Sequence, residues 1–133
     1  MIHNNNLIIS RYSELLEELL KIANTFSFVI RSNYAITESE NIILETFEKY
    51  LLLREEVESW PGTILLYGKR AHIFYYSFNQ ETLSLLLKIS NDLFEWLHPY
   101  KPEDLCFYKN KKPVFVSISH ERDSYFLDGV NSR

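Results

Sequence analysis

The stretch that most constrains the fold is residues 102–127, PEDLCFYKNKKPVFVSISHERDSYFL. It predicts two strands, 105–109 and 113–120, joined by the basic turn Lys109-Asn110-Lys111-Lys112. Strands joined by so short a connection run antiparallel. A second hairpin is predicted upstream, where residues 63–67 and 71–78 flank Gly68-Lys69-Arg70. In its second arm His72, Phe74, Tyr76 and Phe78 share one face, and Ala71, Ile73, Tyr75 and Ser77 the other. Residues 26–31, FSFVIR, form a further short strand, and 123–127 another.

Three helices separate these strands. Over 11–24, Leu15, Leu16, Leu19 and Leu20 recur at helical spacing opposite Glu14, Glu17, Glu18 and Lys21, with Ser10 as the cap. A second helix opens on a Thr37/Glu40 capping box and runs through Ile43, Phe47, Leu51 and Val57 to Trp60, where Pro61-Gly62 stops it. The third runs from Asn79 through Leu83, Leu86, Leu93 and Leu97 to His98-Pro99. The order is α-β-α-β-β-α-β-β. It predicts one α+β domain over residues 1–133, a mainly antiparallel sheet of about five strands with three helices packed on it.

Composition narrows the function classes. With 46% hydrophobic residues, 15% aromatic, three Gly and four Pro, the chain reads as a packed domain rather than a disordered one. A net charge of −4 weighs against nucleic acid as a partner. No apolar run approaches a membrane span, and the opening Met1-Ile2-His3-Asn4-Asn5-Asn6 lacks a secretory pattern, so a cytoplasmic setting is expected. The lone Cys106 excludes an intrachain disulfide and a cysteine-based zinc cluster, and reads as a small core residue.

The ionisable residues offer two candidate sites. Between Thr37 and Trp60 seven Glu stand against Lys49 and Arg54, a net −5. Such a run is either a solvated helix face or a docking surface for a basic partner, with Glu45, Glu48, Glu55, Glu58 and Trp60 as interface candidates. The second candidate is His120 with Glu121 or Asp123, at a strand end, as the polar site of a small hydrolase or metal-dependent enzyme. Alternation sets His120 on the apolar face with Val114, Val116 and Ile118, where it reads either as a partly buried, hydrogen-bonded ring or as a functional imidazole. The same alternation separates it from Glu121 unless the strand breaks between them. His72, His98 and His120 have no metal-ligand spacing, no Gly-x-Ser-x-Gly elbow is present, and no Gly-rich phosphate loop exists. No metal and no cofactor is therefore expected. A third reading, a small-ligand domain, calls for an apolar cavity lined by Tyr75, Tyr76 and Tyr108.

Three short motifs carry a resemblance: Ser59-Trp60-Pro61-Gly62-Thr63, Pro102-Glu103-Asp104-Leu105-Cys106-Phe107-Tyr108 and Ser119-His120-Glu121. Together they span roughly the C-terminal 75 residues, and the pattern resembles small bacterial α+β proteins of the toxin-immunity kind. That resemblance implies a non-enzymatic module that occludes another protein, such as a basic toxin, and it assigns no catalytic residue. The expectation from the sequence is a protein-binding module, with the enzyme reading as its alternative. Whether two copies pair as a homodimer through an exposed strand stays open at this stage.

Overall fold

The computed structural model describes residues 5–127, with side chains from Tyr12 onward. Helix α1 (Asn5–Ile22) leads into strand β1 (Thr25–Arg31), followed by helix α2 (Glu38–Phe47) and a 3-10 turn, Glu48–Tyr50. Strand β2 (Leu51–Val57) comes next, then the two-residue strands β3 (Ser59–Trp60) and β4 (Thr63–Ile64), then β5 (Ala71–Ser77). Helix α3 (Gln80–Ile89), a 3-10 turn (Leu93–Glu95) and strands β6 (Glu103–Lys109), β7 (Lys112–Ile118) and β8 (Asp123–Phe126) complete the order. The fold is α+β. Its main sheet has six strands in the order β2-β5-β1-β6-β7-β8, and β3 with β4 form a separate two-stranded sheet. Every neighbouring pair is antiparallel.

Alternation along the central strands decides which residues meet the helices. Phe26, Phe28 and Ile30 of β1 and Phe74 and Tyr76 of β5 turn to one face, joining Leu16 and Leu19 of α1, Phe47 of α2 and Leu86 of α3. Aromatic rings fill this layer: Phe28 lies 4.9 Å from Tyr76 and stacks at 6.0 Å on Trp96, whose indole N–H donates to the Tyr12 hydroxyl at 3.1 Å. Each such ring taken from water contributes about 2–3 kcal/mol. Val29, Ala71 and Ile73, with Cys106, Tyr108 and Val116, line the opposite face, in clusters to which none of the described helices contributes a residue.

The hairpin between β6 and β7 forms as the sequence predicts, and its turn is tighter, two residues long with Lys109 opposite Lys112. Asn110 and Lys111 both take positive φ, 51° and 73°, the backbone that such a turn requires. The Thr37 capping box is also present: the Thr37 hydroxyl accepts from Glu40 N at 3.1 Å, and the Glu40 carboxylate accepts from Thr37 N at 3.0 Å. The other Glu40 oxygen lies 2.8 Å from His98 Nδ1, so the cap also ties α2 to the chain after α3.

Four expectations are corrected. Helix α1 begins at Asn5, so Ser10 lies inside it rather than capping it. Helix α2 ends at Phe47, and residues 51–57 pair with β5 as an edge strand instead of continuing to Trp60. These residues are good helix formers, but the open edge of β5 supplies a full ladder of backbone bonds that local propensity does not outweigh. Helix α3 stops at Ile89 because the Ser90 hydroxyl turns to the Glu95 carboxylate at 2.6 Å, and Asp92 then caps the Leu93–Glu95 turn. Residues 63–64 pair with β3 rather than with β5, so Gly68-Lys69-Arg70 links two sheets and closes no hairpin.

Candidate functional site

The three motifs singled out in the sequence converge on one buried carboxylate. Asp104 Oδ2 accepts from Trp60 Nε1 at 3.0 Å, and Oδ1 accepts from the Ser119 backbone N–H at 2.8 Å. Pro61 and Gly62 form the tip of the β3–β4 hairpin, where Gly62 adopts φ +93°. A Cβ at Gly62 would sit 3.0 Å from side-chain carbons of both Val116 and Ile118, so the tip rests directly on β7. Beside it the Arg31 guanidinium lies 5.4 Å over the Trp60 ring and reaches the Glu103 carboxylate at 2.6 Å. Burial pushes the Glu103 carboxyl above its ordinary range, and the bond from Arg31 opposes that shift. The cluster clamps the arm of residues 58–67 over the sheet face opposite the described helices. Gly62→Ala is expected to cost about 3 kcal/mol, combining a strained φ with overpacking against β7. A urea midpoint within error of wild type would contradict this packing.

Trp60 is therefore 5% exposed and serves the clamp; it is not an exposed anchor, because its N–H is already spent on Asp104. The four interface glutamates are not on one helix. Glu45 lies in α2 and Glu48 in the turn after it, and both border a groove that reaches Leu51 and Arg54 of β2. Glu55 is on β2, opposite Ile73, and faces the other side of the sheet. Glu58 lies beyond β2 and pairs with Arg70 at 2.9 Å, while Glu56 lies 3.8 Å from the same guanidinium.

The alternative polar site also changes. Strand β7 ends at Ile118, and a 3-10 turn carries His120 out into solvent instead of along the apolar face. The break brings His120 Nε2 within 3.7 Å of Glu121 Oε2, with both side chains about half exposed at 48% and 60%. Asp123 starts β8 and pairs across to Ile118. Burial raises the Cys106 thiol to about 12, consistent with a packed rather than a reactive residue. No group of three or more His, Cys, Asp or Glu able to hold a metal ion occurs among the described residues, and no described helix is long and apolar enough to cross a membrane.

Two further features stand out, the first unread in the sequence and the second anticipated there in part. The first is the outer strand β2, whose leucines are exposed along the sheet edge: Leu51 on the helix side, and Leu52 (61% exposed) and Leu53 (49% exposed) toward the other side. Glu45 and Glu48 flank it on the helix side and Glu55 on the other. A bulge at Leu52 interrupts the ladder to β5. The second is a hollow of about 380 Å³ beside those leucines, walled by Leu53, Tyr75 and Tyr108. Tyr76, expected to line such a cavity, turns into the helical core instead, since neighbours along a strand face opposite ways. Comparison of the chain with family models, curated proteins and solved structures finds no match.

Proposed function

We propose that this chain is a protein-binding module whose contact surface is the outer strand β2 and the carboxylates beside it, directed at a partner with a basic surface. The observation that carries the reading is the run of exposed leucines on β2, Leu51, Leu52 and Leu53, bracketed by Glu45, Glu48 and Glu55. An apolar centre with a polar rim is the usual anatomy of a recognition patch. The outer edge of β2 also has backbone groups free to pair with an extended segment. Its carboxylates speed encounter with a positive surface. The stretch is built from helix formers held as a strand, a local conflict of the kind expected at functional positions. Occlusion of a cognate partner, as an immunity protein occludes a toxin, fits these features.

The test is affinity capture from a lysate of the cells the chain comes from, using the tagged wild type and a Leu52→Asp/Leu53→Asp variant at low and moderate salt. The reading predicts one stoichiometric, basic partner that salt weakens and the variant fails to retain. Equal capture by both proteins would remove β2 from the interface.

A further inference from the structure

Strand β2 is the longer of the two outer strands of the main sheet, with seven residues against four in β8. It carries no Lys or Pro, the residues that commonly keep such an edge from pairing. A second copy can therefore add its own β2 across a twofold axis, antiparallel, with each side of the sheet continuing into the other copy. Directly opposite residues must then face the same way. Leu53, Glu55 and Val57 stand opposite Tyr75, Ile73 and Ala71 of β5, on the side away from the described helices. Arg54 and Glu56 stand opposite Phe74 and His72, on the helical side.

This alternation restricts the register. Pairings centred on Arg54, Glu55 or Glu56 each oppose like charges at the axis, and only the one centred on Glu55 offsets that. It sets Arg54 against Glu56 of the other copy twice, and Leu53 against Val57 twice. Registers centred earlier run into the bulge at Leu52. Arg54 is suited to the exchange: its guanidinium lies 5.0 Å over the Phe74 ring and has no ion pair among the described residues. Glu56 lies 3.8 Å from Arg70, whose shorter bond of 2.9 Å goes to Glu58.

We propose that two copies of this chain pair through β2 in the Glu55-centred register, joining their sheets edge to edge. The same arrangement carries the exposed turn at Leu66 and Tyr67, which adjoins the Val57 end through Arg70 and Ala71, toward the Leu52 end of the other copy. Two short strands cover far less than the roughly 1,200 Å² of a stable interface, so the dimer is weak, with a Kd on the order of 0.1 mM. Self-pairing and docking of another protein exclude each other on this edge. The dilute chain leaves β2 open, and the concentrated chain covers it. The pairing needs no other protein, so it is tested apart from the docking reading.

The experiment is sedimentation equilibrium of the purified chain between about 10 µM and 1 mM, a range that brackets this Kd. The proposal predicts a concentration-dependent dimer. Arg54→Glu and Glu56→Arg each turn two attractive pairs repulsive and weaken it about tenfold. The double variant Arg54→Glu/Glu56→Arg restores both pairs with their signs exchanged and recovers the affinity, which a variant that merely unfolds does not do. Glu55→Gln removes the like pair at the axis and tightens the dimer about threefold. A chain that stays monomeric to about 1 mM, or a dimer that the single charge reversals leave unchanged, overturns the proposal.

Discussion

Replacing Asp104 with Ala is expected to destabilise the protein by about 4 kcal/mol, the largest effect of any single polar substitution among the groups that hold the arm. The carboxylate accepts two buried donors, the Trp60 indole N–H at 3.0 Å and the Ser119 amide at 2.8 Å. Truncation orphans both, and a buried donor without a partner costs about 1–3 kcal/mol. Asp104 also sits at φ +64°, which Asp tolerates better than Ala. At about 3–5 °C per kcal/mol for a domain of this size, Tm falls by roughly 12–20 °C. Asp104→Asn keeps an acceptor and tolerates the left-handed backbone, and loses about half as much. Cys106 supplies an independent readout. Its thiol lies 3.9 Å from the Pro61 carbonyl under the arm, and burial raises it to about 12. In the folded wild type a thiol reagent at neutral pH labels it only through opening, so a loosened arm in Asp104→Ala labels faster. A Tm within about 2 °C of wild type, with unchanged labelling, would mean that Asp104 does not hold the arm.

The second large effect concerns binding rather than stability. Leu53→Asp is expected to weaken association with the captured partner about 30- to 100-fold, the loss of an interface hot spot of about 2–3 kcal/mol. The side chain is half exposed on an outer strand, so its replacement changes stability by no more than about 0.5 kcal/mol. Binding and folding are thereby separated. Reversing Glu45 and Glu48 to Lys acts differently: the two carboxylates lie beside Leu51, so the association rate falls at low salt while the dissociation rate changes little. Unaltered binding by Leu53→Asp would place the interface elsewhere.

The elements readable in the sequence are those whose local chemistry agrees with the fold. The Asn110 turn, the Thr37 capping box and the alternation in 71–77 each carry their own signal, and each lies where that signal points. The failures share a cause. Residues 48–57, EKYLLLREEV, read as helix because Glu, Lys, Leu and Arg favour it, and only the open edge of β5 makes them a strand. The acidic helix face therefore dissolved: Glu45 and Glu48 stayed on the helical side, Glu55 moved to the opposite face, and Glu58 took Arg70. Trp60-Pro61-Gly62, Glu103-Asp104 and Ser119 were legible as motifs but not as one cluster. Their meeting depends on contacts between positions 44 and 15 residues apart, which periodicity does not encode. His120 left the apolar face because β7 stops at Ile118, and the left-handed Arg122 that follows carries no Gly or Asn to announce the turn.

Amide hydrogen exchange of the chain alone and bound to its captured partner locates the binding surface on the sheet. Protection on binding is expected to concentrate in residues 51–57, with a smaller change at 45–48, while the arm of residues 58–67 exchanges as before. Protection confined to the 119–123 turn, with β2 unchanged, would contradict a surface on β2.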